Sequence, residues 1–231
     1  MSLFLIYSTT QATVLLADSL ALKQPSKEQG VVPLVAPKLV HVAPHVFAAH
    51  AGTWQPAIAM LSDLRSRILR SKAPSSSRLS NSTLEKIGQT RHAEFERRFD
   101  RNTLDVRIAL VLTGPLRHKT DREAGRAATI VLWESARNFA PEIVGDHLFF
   151  AADTTLSDFA YSCARHHALK TLLQSSPLTV AQALRSIHAA VARISAQVSE
   201  RCNVAIVSSR GEASVIEGTL LSLPCDSLLY G

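Results

Sequence analysis

The chain has 231 residues, enough to bury one sizeable core, and its apolar fraction of 46% is that of a globular protein. No stretch reaches the roughly 18 uninterrupted apolar residues a membrane-crossing helix needs, and the start lacks the basic region and cleavage site of an export signal. The three cysteines, Cys163, Cys202 and Cys225, follow no metal-ligand spacing. They read as reduced and mostly buried, which fits a cytoplasmic protein. The net charge of +6 invites a nucleic-acid reading, which the distribution of the charge disfavours.

Residues 2–18 read as two short strands, Leu3–Tyr7 and Ala12–Ala17, joined by a polar turn at Ser8–Gln11. An antiparallel turn returns Asp18 to the level of Ser2. If Met1 is removed, as a small second residue permits, Ser2 carries a hydroxyl and a free α-amino group on one residue. The amine titrates near ~7.7–8.0, so nucleophile and base coincide. Residues 19–37 hold three prolines and a glycine and read as an irregular excursion. Lys38 then opens a strand, Pro44-His45 makes a turn, and a second strand ends at Ala51-Gly52 before a helix. An ammonium beside Ser2 would lower the amine pKa and stabilise an alkoxide. A backbone N–H at Gly52 would suit an oxyanion.

Ser2, the run Val-Leu-Leu-Ala-Asp-Ser at 14–19, Lys38 at the head of a strand and Ala51-Gly52 before a helix together resemble a proteasome β-type subunit. These are N-terminal-nucleophile hydrolases, whose small bacterial members include HslV-type peptidases and a betaproteobacterial proteasome homologue. The resemblance implies a four-layer αββα sandwich as one domain over 1–231, with Ser2 as nucleophile, Asp18 and Lys38 as its charge pair and Gly52 as oxyanion donor. It places Ala21 and Leu22 on the wall of the substrate cleft and His50, with Trp54 near, at the floor of the pocket for the residue preceding the scissile bond. No cofactor is implied. The partners implied are other copies of the chain in a closed double ring, a 14-mer in preference to a 12-mer, with peptides or unfolded proteins as substrate and room for an ATP-driven unfoldase.

The chain departs from the family in two places. Ala151-Ala152-Asp153-Thr154-Thr155 stands where a Gly-Ser-Gly turn is usual, so Asp153 or Thr154 must serve there. Ser199-Glu200-Arg201-Cys202-Asn203 stands where an Asp and a Ser are usual. His41, His45 and His50 lie close in sequence, but strand alternation broken at Pro44 argues for surface and turn histidines rather than a metal site.

Downstream, Ala57, Leu61, Leu64 and Ile68 recur at helical spacing over 53–72, with Thr53 as N-cap. A Ser/Pro-rich loop covers 73–81. A second helix starts at Ser82 or Thr83 and runs to about Arg101, with Leu84, Ile87, Phe95 and Phe99 inside. Arginines and lysines on these helices alternate with Glu85, Glu94, Glu96 and Asp100, so the face is solvated or subunit-contacting and no nucleic-acid partner is expected. Val106–Thr113 and Ala128–Trp133 read as strands, with one further strand in Ile143–Ala152. Helices over 156–174 and 180–200 follow, the second with a Thr179-x-x-Gln182 capping box, and a hairpin over 204–217 ends the pattern. Two other functions stay open: a catalytically weak or inactive ring scaffold of the same fold, and a basic nucleic-acid-binding protein.

Overall fold

The computed structural model describes residues 3–23, 32–70, 79–98, 105–117, 125–151, 157–160, 162–163, 174–196 and 198–223. The chain is a mixed α+β protein, compatible with an α/β sandwich. Its strands are β1 (Leu3–Ser8), β2 (Ala12–Asp18), β3 (Leu20–Lys23), β4 (Val32–Val35), β5 (Leu39–Ala43), β6 (Val46–Gly52), β7 (Val106–Thr113), β8 (Ala128–Glu134), β9 (Glu142–Val144), β10 (His147–Ala151), β11 (Cys202–Ser208), β12 (Ala213–Glu217) and β13 (Leu220–Ser222). The helices are α1 (Trp54–Leu69), α2 (Asn81–Arg98) and α3 (Pro177–Ile194).

The strands form a five-stranded sheet in the order β10-β1-β2-β11-β12 and a six-stranded sheet in the order β13-β5-β6-β7-β8-β9. Successive residues of β1 and β2 are all buried because both faces of their sheet are covered, which is why the segment is apolar without alternation. Phe4, Ile6, Leu15 and Ala17 face Phe47, Ala49, Ala109 and Val111 of the other sheet. Leu3, Leu5, Val14 and Leu16 pack on the opposite face against Val180, Leu184, Ile187 and Val191 of α3. Val40, Ala48, Ile108 and Leu110 meet Ala57, Leu61 and Leu64 of α1 and Leu84 and Ile87 of α2. Burial on both faces of each sheet supplies the main favourable term, at about 25 cal/mol per Å² of apolar surface.

Several expectations are corrected. The excursion after Asp18 contains an antiparallel hairpin, β3 with β4, because Pro33 at an edge needs to give no ladder donor. The strand expected over 143–152 is two: β9 pairs with β8 and β10 with β1, so the chain changes sheets at Gly145-Asp146. Helix α3 begins three residues earlier than expected. Ser176 caps it, its Oγ accepting from the Thr179 N–H at 3.2 Å, and Pro177 fills the first turn, where no donor is required. The helix ends at Ile194, so Val198 is buried from beyond it. Strand β13, absent from the sequence reading, leaves the β11–β12 ribbon and pairs in parallel with β5 in the other sheet. Phe99, Cys225 and most of 156–174 lie outside the described residues. Among those described, no helix is long and apolar enough to cross a membrane.

Candidate active site

Strand β2 ends at Asp18, whose carboxylate is completely buried. The β1–β2 ladder, with Phe4 opposite Ala17, carries Asp18 to the start of β1. There the Leu3 backbone N–H donates to Asp18 Oδ1 at 2.9 Å. Lys38, placed just before β5 and also fully buried, donates from Nζ to the same oxygen at 2.6 Å. The other oxygen, Oδ2, accepts from the Leu20 N–H at 3.1 Å and the Ser199 N–H at 3.3 Å. One carboxylate thus ties together the first strand, the hairpin after β2, the segment leading into β5 and the turn before β11.

Charge-assisted bonds of this kind are the stronger class of hydrogen bond. Burial pulls the Lys38 ammonium below its ordinary pKa, and Asp18 opposes that pull through charge and hydrogen bonding. Lys38 Nζ and the Leu3 N–H thus meet on one carboxylate oxygen.

Gly52 closes β6 with φ +84°, and a Cβ there would stand 1.9 Å from the Asp105 carbonyl oxygen. That carbonyl accepts from the Thr53 N–H at 2.7 Å. The glycine is therefore required by a close backbone approach at the strand-to-helix junction, whatever else it does. The ladder sets Lys38 beside His50, since the His50 N–H donates to the Lys38 carbonyl at 3.1 Å, and so Gly52 lies two positions further along β6.

No family model and no curated protein matches this chain.

His50 is fully buried, in place of the surface or turn position that the sequence suggested for it. Neither ring nitrogen has a hydrogen-bond partner among the described residues. Burial, reinforced by the Lys38 charge, pushes its pKa down to about 3, offset only in part by a Pro37 backbone approach that falls short of hydrogen-bond geometry, so the imidazole is neutral. His45 does occupy the expected turn, with φ 66°, and His41 stacks on Phe47 at 4.8 Å. Among the described residues no set of His, Cys, Asp and Glu side chains is arranged to hold a metal ion.

The structure thus brings together Asp18, Lys38 and His50, with Gly52 adjoining. Ala21 and Leu22 lie on β3, in register with Leu34 and Pro33 of β4, and their side chains lie outside what is described. Ser2 and Asp153, as well as Thr154, also lie outside the described residues. Two contributors escaped sequence reasoning. The Leu20 and Ser199 groups act through backbone N–H, which no side-chain pattern reveals. Asn203 makes a neighbouring latch: its amide donates to Ser19 Oγ at 3.2 Å while its carbonyl accepts from the Thr219 N–H at 2.8 Å.

Proposed function

We propose that the chain is a proteasome-like β-type subunit, an N-terminal-nucleophile peptidase of the αββα sandwich type, in which Ser2 is the nucleophile once Met1 is removed. The observation that carries this reading is the fully buried Lys38–Asp18 pair, 2.6 Å across, bound to the N–H of the residue that follows Ser2. A buried ion pair costs desolvation and is weak evidence of stability by itself. Its bond to Leu3, the residue next in sequence to Ser2, is what gives it a chemical use on this reading.

In this mechanism the Ser2 α-amine takes the proton from its own hydroxyl as Oγ attacks a peptide carbonyl, then passes it to the leaving amine. Lys38 holds positive charge near that amine, lowering its pKa, and Asp18 fixes Lys38. The Gly52 backbone N–H receives the oxyanion of the tetrahedral intermediate. Asp153 stands in for the missing serine of the turn that orients the amine, and His50, Ala21 and Leu22 bound the cleft that takes the peptide. Subunits close into a homo-oligomeric double ring that confines the reaction.

The test is intact mass of the purified protein, followed by hydrolysis of short fluorogenic peptides by wild type, Ser2→Ala and Lys38→Met. A mass lacking Met1, turnover in wild type and its loss in both variants are expected. Equal rates in wild type and Ser2→Ala would overturn the assignment. Sedimentation as a monomer or dimer would overturn the ring.

A second reading has one observation in its favour: Asp18 binds four separate segments, so the pair also works as a fastener. On that reading the chain is an inactive ring-forming scaffold, and a retained Met1 with no turnover would support it.

A further inference from the structure

A second polar centre lies behind Asp18, on the helical side of the first sheet. A cleft of about 410 Å³ opens between α3 and the β11–β12 ribbon, its lining including Gln182, Arg185, His188, Glu200, Cys202 and Glu217. The volume is in the range of small-molecule sites. His188 sits on the buried stripe of α3, only 3% exposed, and its Nε2 has no hydrogen-bond partner among the described residues. A buried ring nitrogen without a partner costs free energy that a bound group would return.

The charge of the lining selects the ligand. Arg185 is the cation among these residues, half exposed, with Nη2 2.8 Å from Glu217 Oε2. The approach lies off the hydrogen-bond line, so Oε2 is buried without an aligned donor. Glu200 adds a second carboxylate. Two carboxylates thus face one guanidinium, which disfavours an anion. A metal ion fits poorly as well, since among the described residues no group of His, Cys, Asp and Glu side chains is arranged to hold one. Burial holds the His188 pKa below its ordinary value, aided by the Arg185 charge and only partly opposed by Asp18, the Ser199 backbone and Glu217, so the ring is a neutral partner for a donor. An ammonium group would bring three N–H donors and a positive charge to the ring nitrogen and the carboxylates.

We propose that this cleft binds a small organic cation through a primary ammonium, seated against His188, Glu200 and Glu217. The site is independent of the peptidase reading, since none of its residues belongs to the Asp18–Lys38–Gly52 cluster. The ammonium could belong to a free amine or to a lysine side chain, and two probes separate these: cadaverine and N-acetyl-lysine-amide.

Calorimetric titration of the full chain with each probe tests the proposal, alongside imidazole NMR shifts of His188. Saturable binding of cadaverine that moves the His188 resonance is expected, weakened about tenfold by loss of one charge-assisted hydrogen bond in Glu217→Gln. Because Glu217 is paired with Arg185, Glu200→Gln provides a second variant at an exposed position that folding tolerates. Binding of cadaverine alone assigns the site to free amines; binding of both probes extends it to lysine side chains. Absence of saturable binding by either probe, or affinities unchanged in both variants, would overturn the proposal.

Discussion

Two ion pairs in this molecule are equally short and entirely different. Lys38–Asp18 is 2.6 Å across with both side chains fully buried, and Arg91–Asp63, joining α2 to α1, is 2.6 Å with both partly exposed. Arg91 also reaches Glu94 at 2.7 Å and binds Asp63 through two nitrogens. The geometry of the surface pair is the more elaborate. Solvent nevertheless screens it, whereas the buried pair is held by backbone donors on one side and has no water to replace either partner. Length alone does not say what an ion pair contributes; the medium does.

The sharpest way to test that contrast is to remove one partner of the buried pair. Lys38→Ala leaves the Asp18 charge buried with its backbone donors only, and a loss of about 3–5 kcal/mol is expected in urea unfolding. Asp18→Asn combined with Lys38→Met removes both charges at similar volume and should recover most of that loss. If peptide turnover is present in wild type and still absent in the recovered double variant, the pair serves chemistry and not only folding. A double variant no more stable than Lys38→Ala would show that the surrounding backbone, and not the uncompensated charge, sets the cost.

Gly52 gives the next effect. An alanine there combines a positive φ with a Cβ 1.9 Å from the Asp105 carbonyl, and a loss of about 2–4 kcal/mol follows from strain and overpacking together. A change below 1 kcal/mol, on the order of surface substitutions, would mean that the junction between β6 and α1 yields easily. It would then be too soft to hold an oxyanion donor in place.

His50 sharpens the comparison through pH. Its folded pKa of about 3 lies below the ordinary value of 6.5, so between these pH values the unfolded chain binds a proton that the folded chain does not. The part of the stability that His50 carries is therefore flat above about pH 6.5 and falls by about 1.4 kcal/mol per pH unit below it. The loss stops only as the pH approaches 3. His50→Leu should remove that part of the acid slope while leaving stability at pH 7 little changed, because the ring has no hydrogen bonds among the described residues to lose. An acid slope unaltered by the substitution would show that His50 is protonated in the folded protein, and its proximity to the Lys38 ammonium would need another account.

How much of this was legible in the sequence depends on which atoms act. The apolar runs of β1, β2, β6 and β7 announced strands but not that β1, β2 and β6 would be covered on both faces, and the stripe Leu184, Ile187, Val191 announced the buried face of α3. Pro33 and the two-residue break at Gly145-Asp146 were misread, because edge pairing and a change of sheet depend on distant partners. Thr179 resembled a cap because a Gln follows three residues later, but Ser176-Pro177 satisfied the same first turn earlier in the chain. At the site, Asp18 and Lys38 were legible as side chains of the right type at strand ends. The N–H donors of Leu20 and Ser199 were not, since every residue but proline carries one. His188 did leave a signal: a titratable residue four places after Leu184 and three before Val191, on an apolar face.

The smallest effect belongs to the surface pair. Arg91→Ala removes a two-point contact with Asp63 and one with Glu94, yet its expected cost is only about 0.5–1 kcal/mol, diminishing in high salt. Arg91→Met keeps the methylene stem and loses the charge, so it separates packing from charge. If Arg91→Met is as stable as wild type while Arg91→Ala is not, the arginine contributes by covering apolar surface. If both lose more than 2 kcal/mol, well above the usual worth of exposed pairs, the partly exposed network behaves like the buried one and the contrast between the two regions fails. An effect that disappears in 1 M salt, where charges are screened within about 3 Å, returns the pair to the ordinary electrostatics of a wet surface.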